Sequence, residues 1–145
     1  MEGRGHVKGV EIDDTRLPLL IASFSESFAD ADLAAFHAAC QRMLERKLPY
    51  AVVLDATAVA RVSATQRKAQ AEWMKANFAD CQSYCAGLAF VIRSPVVRGI
   101  FTAILWLQSL PSPYVVVPER QAGIDWALGQ LRVLETRDDS AAPRG

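Results

Sequence analysis

The sequence has few of the cysteine and histidine residues that form metal centres and disulfide frameworks. Its 145 residues include three cysteines and two histidines. A structural zinc site needs four Cys or His ligands at matched spacing, and Cys81 and Cys85 have no second pair to complete one. An odd number of cysteines does not fit a closed disulfide framework and is typical of a reducing compartment. We therefore expect no metal and no cofactor.

Motifs of the common enzyme classes are missing as well. The sequence contains no Gly-x-Ser-x-Gly elbow, no glycine-rich loop that could hold a phosphate, and no pair of carboxylates in a plausible cleft. His37 could serve as a general base, but no nucleophile with a matched acid and base accompanies it. We therefore expect a non-enzymatic protein, and a hydrolase-like enzyme is the alternative.

Segments that lead to or through a membrane are not evident either. Residues 1–10 have no apolar run of the kind found in secretory signals. Residues 99–118 carry no charge, but Pro111 would break a spanning helix halfway. We expect a cytoplasmic protein without a transmembrane segment. The formal net charge of zero predicts no nucleic-acid partner.

Hydrophobic patterning predicts strands that alternate with helices. Apolar runs at residues 7–12 and 19–24, separated by a turn at 13–16, predict an antiparallel hairpin. Asp30 or Asp32 is the expected N-cap of the first helix. Further strands are predicted at 50–55, 87–92 and 114–117, and helices at 33–48, 64–78, 95–110 and 119–134.

The order β-β-α-β-α-β-α-β-α predicts an α/β fold with a mixed, mostly parallel sheet of about five strands and four helices. The length suits one hydrophobic core and therefore one domain, which we place at residues 7–134. Residues 1–6 are expected to form a flexible N-terminus, and the polar residues 135–145 a disordered tail.

Three segments connect this order with a known family. They are the strand that ends in Val53-Leu54-Asp55, the loop that leads to Ser63-Ala64-Thr65, and the late segment 122–128 with its Trp126. Together with the element order they resemble the STAS fold of sulfate transporters and anti-sigma-factor antagonists. Small stand-alone bacterial proteins described as SpoIIAA-like or STAS/SEC14-like are the most similar. The resemblance implies a regulatory or scaffolding module that acts through protein–protein contacts in a bacterial cytoplasmic pathway.

The resemblance also implies a phosphorylation site. In the antagonist branch of the family, a hydroxyl at the start of the helix after this strand is phosphorylated. When Asp55 is matched to the strand end, that position falls on Thr65, with Ser63 nearby. The acid and the glycine of the family's Asp-Ser-Ser-Gly pattern are missing here. The alternative is that Ser63 simply caps the helix and that the neighbouring charges form a solvated face.

The carboxyl ends of the predicted parallel strands offer a candidate anion site. Ligands of open α/β sheets bind beyond these ends, and helix N-termini favour negative charge. Asp55, Arg93, Ser94 and Arg98 fall at or near these ends. The alternative is that Arg98 pairs with Asp55 and that Ser94 only caps its helix.

The predicted helix at 95–110 is apolar on nearly every side, so both of its sides must be covered. Phe101, Trp106 and Leu107 are the expected members of an exposed apolar patch, to which Trp126 could add. Such a patch would bind a second copy of the chain or another protein. Two alternatives remain: the last helix and the tail cover the patch, or an apolar ligand such as a lipid lies beneath the helix, as the SEC14-like resemblance implies.

Overall fold

A six-stranded sheet, with its strands in chain order, forms the centre of the fold. The computed structural model describes residues 5–7 and 9–141, and the side chains of residues 9–106 and 108–136. The strands are β1 (Gly5–Val7), β2 (Val10–Arg16), β3 (Leu19–Phe24), β4 (Tyr50–Asp55), β5 (Cys85–Val91) and β6 (Tyr114–Val117).

The sheet is mixed and mostly parallel, which confirms the predicted fold class. β1, β2 and β3 pair antiparallel, and β3, β4, β5 and β6 follow one another in parallel. The predicted strand at residues 7–12 is split in two, because Val7 pairs back onto Val10 across a tight turn. This short hairpin adds a strand to the expected five.

Residues 13–16 belong to β2, so the turn predicted there is wrong. Asp13 does make the local contacts of a turn, because its Oδ1 accepts hydrogen bonds from the N–H and the hydroxyl of Thr15. The pairing between β2 and β3 is irregular from Asp13 to Arg16, where these local contacts occur. Regular pairing resumes with Arg16 opposite Leu19.

The structure has five helices in its described part: α1 (Asp30–Glu45), α2 (Ala64–Ala76), α3 (Phe78–Tyr84), α4 (Pro95–Leu107) and α5 (Arg120–Ala141). The extra helix arises at Asn77, whose side-chain Nδ2 donates to the Trp73 carbonyl at 2.9 Å. An amide side chain that binds a late carbonyl favours the end of a helix. The helix predicted at 64–78 therefore ends at Ala76, and α3 follows.

The N-cap of α1 is Ala29, so the prediction of Asp30 or Asp32 as N-cap is wrong. The helix begins one residue before the first of these positions could cap it. Asp32 acts from within the first turn instead, where its Oδ2 accepts from the Ala29 N–H at 2.6 Å. A carboxylate in the first turn also complements the positive end of the helix dipole.

Side chains that alternate along the strands build two hydrophobic clusters, one on each face of the sheet. Leu20 and Val52 belong to the cluster covered by α1, α2, α3 and α4. Ile21 and Val53 belong to the cluster covered by α5. Among the described residues, the first four helices thus share one face and α5 covers the opposite face.

Secondary structure extends into both of the predicted terminal segments. Gly5–Val7 is a strand, and α5 continues beyond residue 134 to Ala141. Residues 1–4 and 142–145, the outermost parts of the expected flexible ends, lie outside the described residues. The domain boundary at residues 7–134 stays a prediction. Over the described residues, the helices are too short or too polar to cross a membrane.

Candidate functional site

Asp55, at the end of β4, is held by groups of the chain itself. Its Oδ2 accepts from Arg120 Nε at 3.0 Å, and Arg120 Nη2 lies 3.0 Å from the same oxygen. Oδ1 accepts from the N–H and the hydroxyl of Thr57, at 3.0 and 2.7 Å. Burial alone would raise the pKa of this carboxyl, but the hydrogen bonds from Thr57 and Arg120 outweigh it and lower the pKa.

Arg120 is the residue that sequence reasoning missed. It is the first residue of α5, and it also donates to the Ser23 hydroxyl at the end of β3. In the register of the sheet, Ser23 lies beside Asp55, so the two strands present both acceptors together. The position of Arg120 at the start of the helix that follows the last strand was the signal available in the sequence.

Asp55, Arg93 and Ser94, three of the four residues predicted as an anion site, make contacts with other groups of the chain. Arg93 donates to the Pro118 carbonyl at 2.8 Å and to Glu119 Oε1 at 3.1 Å. Arg120, and not Arg98, is the cation that pairs with Asp55. The Ser94 hydroxyl accepts from the Val97 N–H, so the predicted N-cap of α4 is confirmed. Anion binding at these residues stays a prediction.

The two predicted phosphorylation sites have different surroundings. Ser63 caps α2, where its Oγ accepts from the Gln66 N–H at 3.0 Å and its N–H donates to Gln66 Oε1 at 3.0 Å. This reciprocal pair is a capping box. Thr65 is exposed in the first turn of the same helix. The capping role of Ser63 is confirmed, and phosphorylation of Thr65 or Ser63 stays a prediction.

His37, the candidate base, packs between α1 and α2. Its ring stacks on Trp73 with ring centroids 5.2 Å apart, and its Nε2 lies 2.7 Å from Gln70 Oε1. Burial lowers the pKa of His37, and the hydrogen bond to Gln70 offsets part of that effect. This arrangement gives His37 a clear packing role.

The three thiols lie in the core. Cys40, Cys81 and Cys85 are all free and buried. Burial raises the pKa of Cys81 to about 11 and that of Cys85 to about 12, so both are protonated at neutral pH. Over the residues whose placement is described, no three His, Cys, Asp or Glu side chains come close enough together to hold a metal ion.

A cavity separates α4 from the sheet. It has a volume of about 130 Å³ and is partly open to the solvent. Its floor includes Leu54, Phe90 and Ile92 of the sheet side, and its roof includes Ile100 and Ile104 of α4. We call it the α4 cavity. Aromatic contact closes one side, because the ring of Phe101 lies 4.3 Å from that of Phe90.

The opposite side of α4 faces the solvent. Val96, Gly99, Ala103 and Trp106 recur at helical spacing and are all exposed, Val96 at 66% and Trp106 at 84%. We call these four residues the outer face of α4. Its large apolar members are Val96 and Trp106, and the exposed polar residues Arg98 and Thr102 lie on the same helix.

The predicted apolar patch is only partly assembled. Trp106 is exposed as expected, whereas Phe101 turns inward to Phe90. The side chain of Leu107 lies outside the described residues. Trp126 cannot join the patch, because α5 covers the other face of the sheet and Trp126 packs in the cluster there. The sequence placed Trp126 off the inward stripe of α5 and Leu128 on it, and both placements are wrong: Trp126 packs toward the sheet and Leu128 is 39% exposed.

Comparison with solved structures identifies the fold. The chain matches an uncharacterized protein of the DUF3478 family with a SpoIIAA-like fold, from Shewanella loihica PV-4, with a TM-score of 0.61 and 12% sequence identity. The match covers 84% of this chain and 96% of that chain. The chain therefore has a SpoIIAA-like fold, as the resemblance implied. No family model and no curated protein matches the sequence.

Proposed function

We propose that this protein is a non-enzymatic regulatory module of the bacterial cytoplasm that acts by binding another protein through the outer face of α4. One observation carries the proposal: Trp106 is 84% exposed near the C-terminal end of α4, a helix in which Arg98 is the one charged residue. Burial of a tryptophan side chain is favourable in free energy, and an exposed Trp106 does not contribute this to folding. A partner that covers it recovers this free energy on binding.

The shape of the outer face suits a protein contact. Val96 and Trp106 stand at its two ends, and the small residues Gly99 and Ala103 lie between them. A side chain of a partner can therefore reach the helix backbone between two larger anchors. Tryptophan is enriched among the residues that dominate binding energy at protein interfaces, which makes Trp106 the expected main contact.

The lack of charge on the outer face of α4 favours a partner with an apolar surface. The outer face has no charged member, and the whole chain has a formal net charge of zero. Electrostatic steering therefore contributes little, and apolar burial supplies most of the affinity. A second copy of this chain has such a surface, so a homodimer through α4 is the simplest form of the proposed complex.

The non-enzymatic part of the proposal rests on the engagement of the candidate catalytic groups. The carboxylate of Asp55 accepts hydrogen bonds on both oxygens, and the Nε2 of His37 is bonded to Gln70. Neither group has a nucleophile among its described hydrogen-bond partners other than the Thr57 hydroxyl, which donates to Asp55.

The test compares two variants that place the same charge on opposite sides of the molecule. Trp106→Glu changes the outer face of α4, and Val133→Glu changes an exposed residue of α5 that is 50% accessible. We expect sedimentation velocity of the wild type to show a dimer, or affinity capture from host cells to retain one defined partner. Trp106→Glu should lose that complex, and Val133→Glu should keep it.

Two results would overturn the proposal. One is a wild-type protein that stays monomeric at high micromolar concentration and retains no partner. The other is a complex that survives Trp106→Glu as well as it survives Val133→Glu. Trp106 is almost fully accessible, so its replacement should leave the fold intact, and circular dichroism of both variants checks this.

A further inference from the structure

The outer side of β6 is an open edge of the sheet. This strand is the last in the order of the sheet, and over the described residues it pairs with β5 alone. Tyr114 is 47% exposed and the three valines that follow it are half-buried, whereas β3 and β4 are almost wholly buried. The edge of a sheet presents free backbone N–H and C=O groups that a strand of another chain can bind.

The pairing with β5 shows which backbone groups of β6 are free. The carbonyls of Pro113 and Val117 accept hydrogen bonds at 2.9 Å from backbone N–H groups on the β5 side. Along a paired strand, successive residues direct their N–H and C=O groups to opposite sides, and the pairing of β6 with β5 is regular. Tyr114 and Val116 therefore direct these groups away from β5, where no described residue binds them.

Most of the features that keep edge strands from pairing are missing from β6. Residues 111–118 carry no charge, and neither a proline nor a bulge interrupts Tyr114–Val117. Pro118 follows the strand directly and has no N–H to offer, so it ends any pairing at this point. The edge therefore fits a short, uncharged strand in a single register.

We propose that two copies of this chain pair through β6, with the two strands antiparallel about a two-fold axis at Val115, so that their sheets become continuous. In this register Tyr114 of each copy lies opposite Val116 of the other. Residues whose backbone groups face each other in this way exchange two hydrogen bonds per pair. Every free group of Tyr114 and Val116 is then satisfied in both copies, and the contact is the same for each.

The match of the edge with itself favours a second copy over another partner. A register shifted by two residues would place Pro118 or Ser112, which both lie outside the strand, opposite a free residue and would leave groups unpaired. The side chains match as well. Val115 meets Val115 of the second copy on the α5 side of the sheet, and the half-exposed Tyr114 meets Val116 on the α4 side.

This contact goes beyond the proposed function and uses a different surface. The ring of Phe101 faces β6, with its centroid 5.9 Å from that of Tyr114, whereas Trp106 projects from the outer face of α4. Pairing through β6 leaves that outer face free on both copies for another protein. Either proposal can therefore fail without the other.

The test places a thiol at the proposed two-fold axis. In the antiparallel pair the two Cα atoms of position 115 would lie about 4.5 Å apart, within the range of a disulfide. Val115→Cys is therefore oxidised with oxidised glutathione and analysed on a non-reducing gel. Val117→Cys is the matched control on the same face of the same strand, and its two copies would lie about 13 Å apart. The native cysteines are all buried, so the crosslink reports the introduced thiol.

Two further variants are made in the Val115→Cys protein. Val116→Pro removes a free N–H without removing a hydrogen bond to β5, and thermal melts confirm that it folds. Trp106→Glu changes the outer face of α4.

We expect Val115→Cys to form the covalent dimer at a rate roughly tenfold or more above that of Val117→Cys, because the paired strands hold its thiols together. Val116→Pro should reduce this rate to that of Val117→Cys, and Trp106→Glu should leave it unchanged. The proposal is overturned if Val115→Cys stays monomeric, if positions 115 and 117 crosslink equally, or if a folded Val116→Pro crosslinks as fast as its parent. Loss of the crosslink in Trp106→Glu would also overturn it, since the dimer would then depend on the outer face of α4.

Discussion

Arg120 binds Asp55 across the carboxyl edge of the sheet, with its Nε and Nη2 each 3.0 Å from the same carboxylate oxygen. Asp55 ends the central strand β4, and Arg120 begins α5. The pair therefore fixes the start of the helix that covers this face of the sheet in the described part of the chain. The side chain of Asp55 is 12% exposed, which shields the pair more than most surface pairs.

Removing this pair should lower stability in a pH-dependent way. The pKa of Asp55 is depressed in the folded state, so its contribution is present above the unfolded pKa of about 4 and is lost as the pH falls through the folded pKa. Urea denaturation of Asp55→Asn, Arg120→Gln and the double variant should give a coupling of about 1 kcal/mol at pH 7, after allowance for the partial exposure of Arg120. The coupling should shrink as the pH falls through the lowered pKa of Asp55.

The exposed pair of Arg93 and Glu119 is the control for this experiment. Its side chains are 59% and 67% exposed, so solvent screens their 3.1 Å contact. Glu119→Gln should change the free energy of unfolding by less than about 0.5 kcal/mol. A coupling between Asp55 and Arg120 no larger than this would contradict the role given to Arg120.

Replacement of two glycines by alanine should change the stability of the fold in opposite directions. A Cβ at Gly87 would lie 2.8 Å from Trp126 Cζ3, so Gly87→Ala must displace the indole and should destabilise the fold by about 1–3 kcal/mol. A Cβ at Gly99 meets no atom within 4 Å, and Gly99→Ala should stabilise α4 by about 0.5–1 kcal/mol. Thermal and urea unfolding of both variants measures this. An unchanged stability of Gly87→Ala would show that Trp126 does not pack on β5.

His37 should make the protein less stable in mild acid. Its pKa is lowered in the folded state, so the unfolded chain takes up the proton first, and stability falls as the pH drops below about 6.5. Urea midpoints between about pH 7.5 and pH 5 should decline more steeply for the wild type than for His37→Gln. A ring titration by NMR with a pKa at or above 6.5 would contradict the burial of His37 against Trp73.

Local features of the fold were predictable from the sequence. The strands at 19–24, 50–55 and 114–117 have the predicted bounds, because each is a mostly apolar run that follows directly after a proline. The caps Ser63 and Ser94 were predictable because a hydroxyl before a helix satisfies free N–H groups wherever the helix lies. These signals depend on neighbours in the chain alone.

Features that depend on distant residues were not predictable in this way. The pairing of Asp55 with Arg120 joins residues far apart in the chain, and the sequence offered Arg98 as an equally reasonable partner. The position of Trp126 opposite α4 depends on which face of the sheet α5 covers. The α4 cavity depends on how closely α4 approaches the sheet, which a hydrophobic pattern does not encode.

Photo-crosslinking in the native host tests the central claim most directly, because it reports contacts of the outer face of α4 without extraction of the protein. p-Benzoylphenylalanine placed at Trp106 should give one defined adduct, with a second copy of the chain or with a single other protein. The same group at Val133, exposed on α5, is the control and should give none. No adduct at position 106, or equal adducts at both positions, would contradict the proposal that the protein acts through α4.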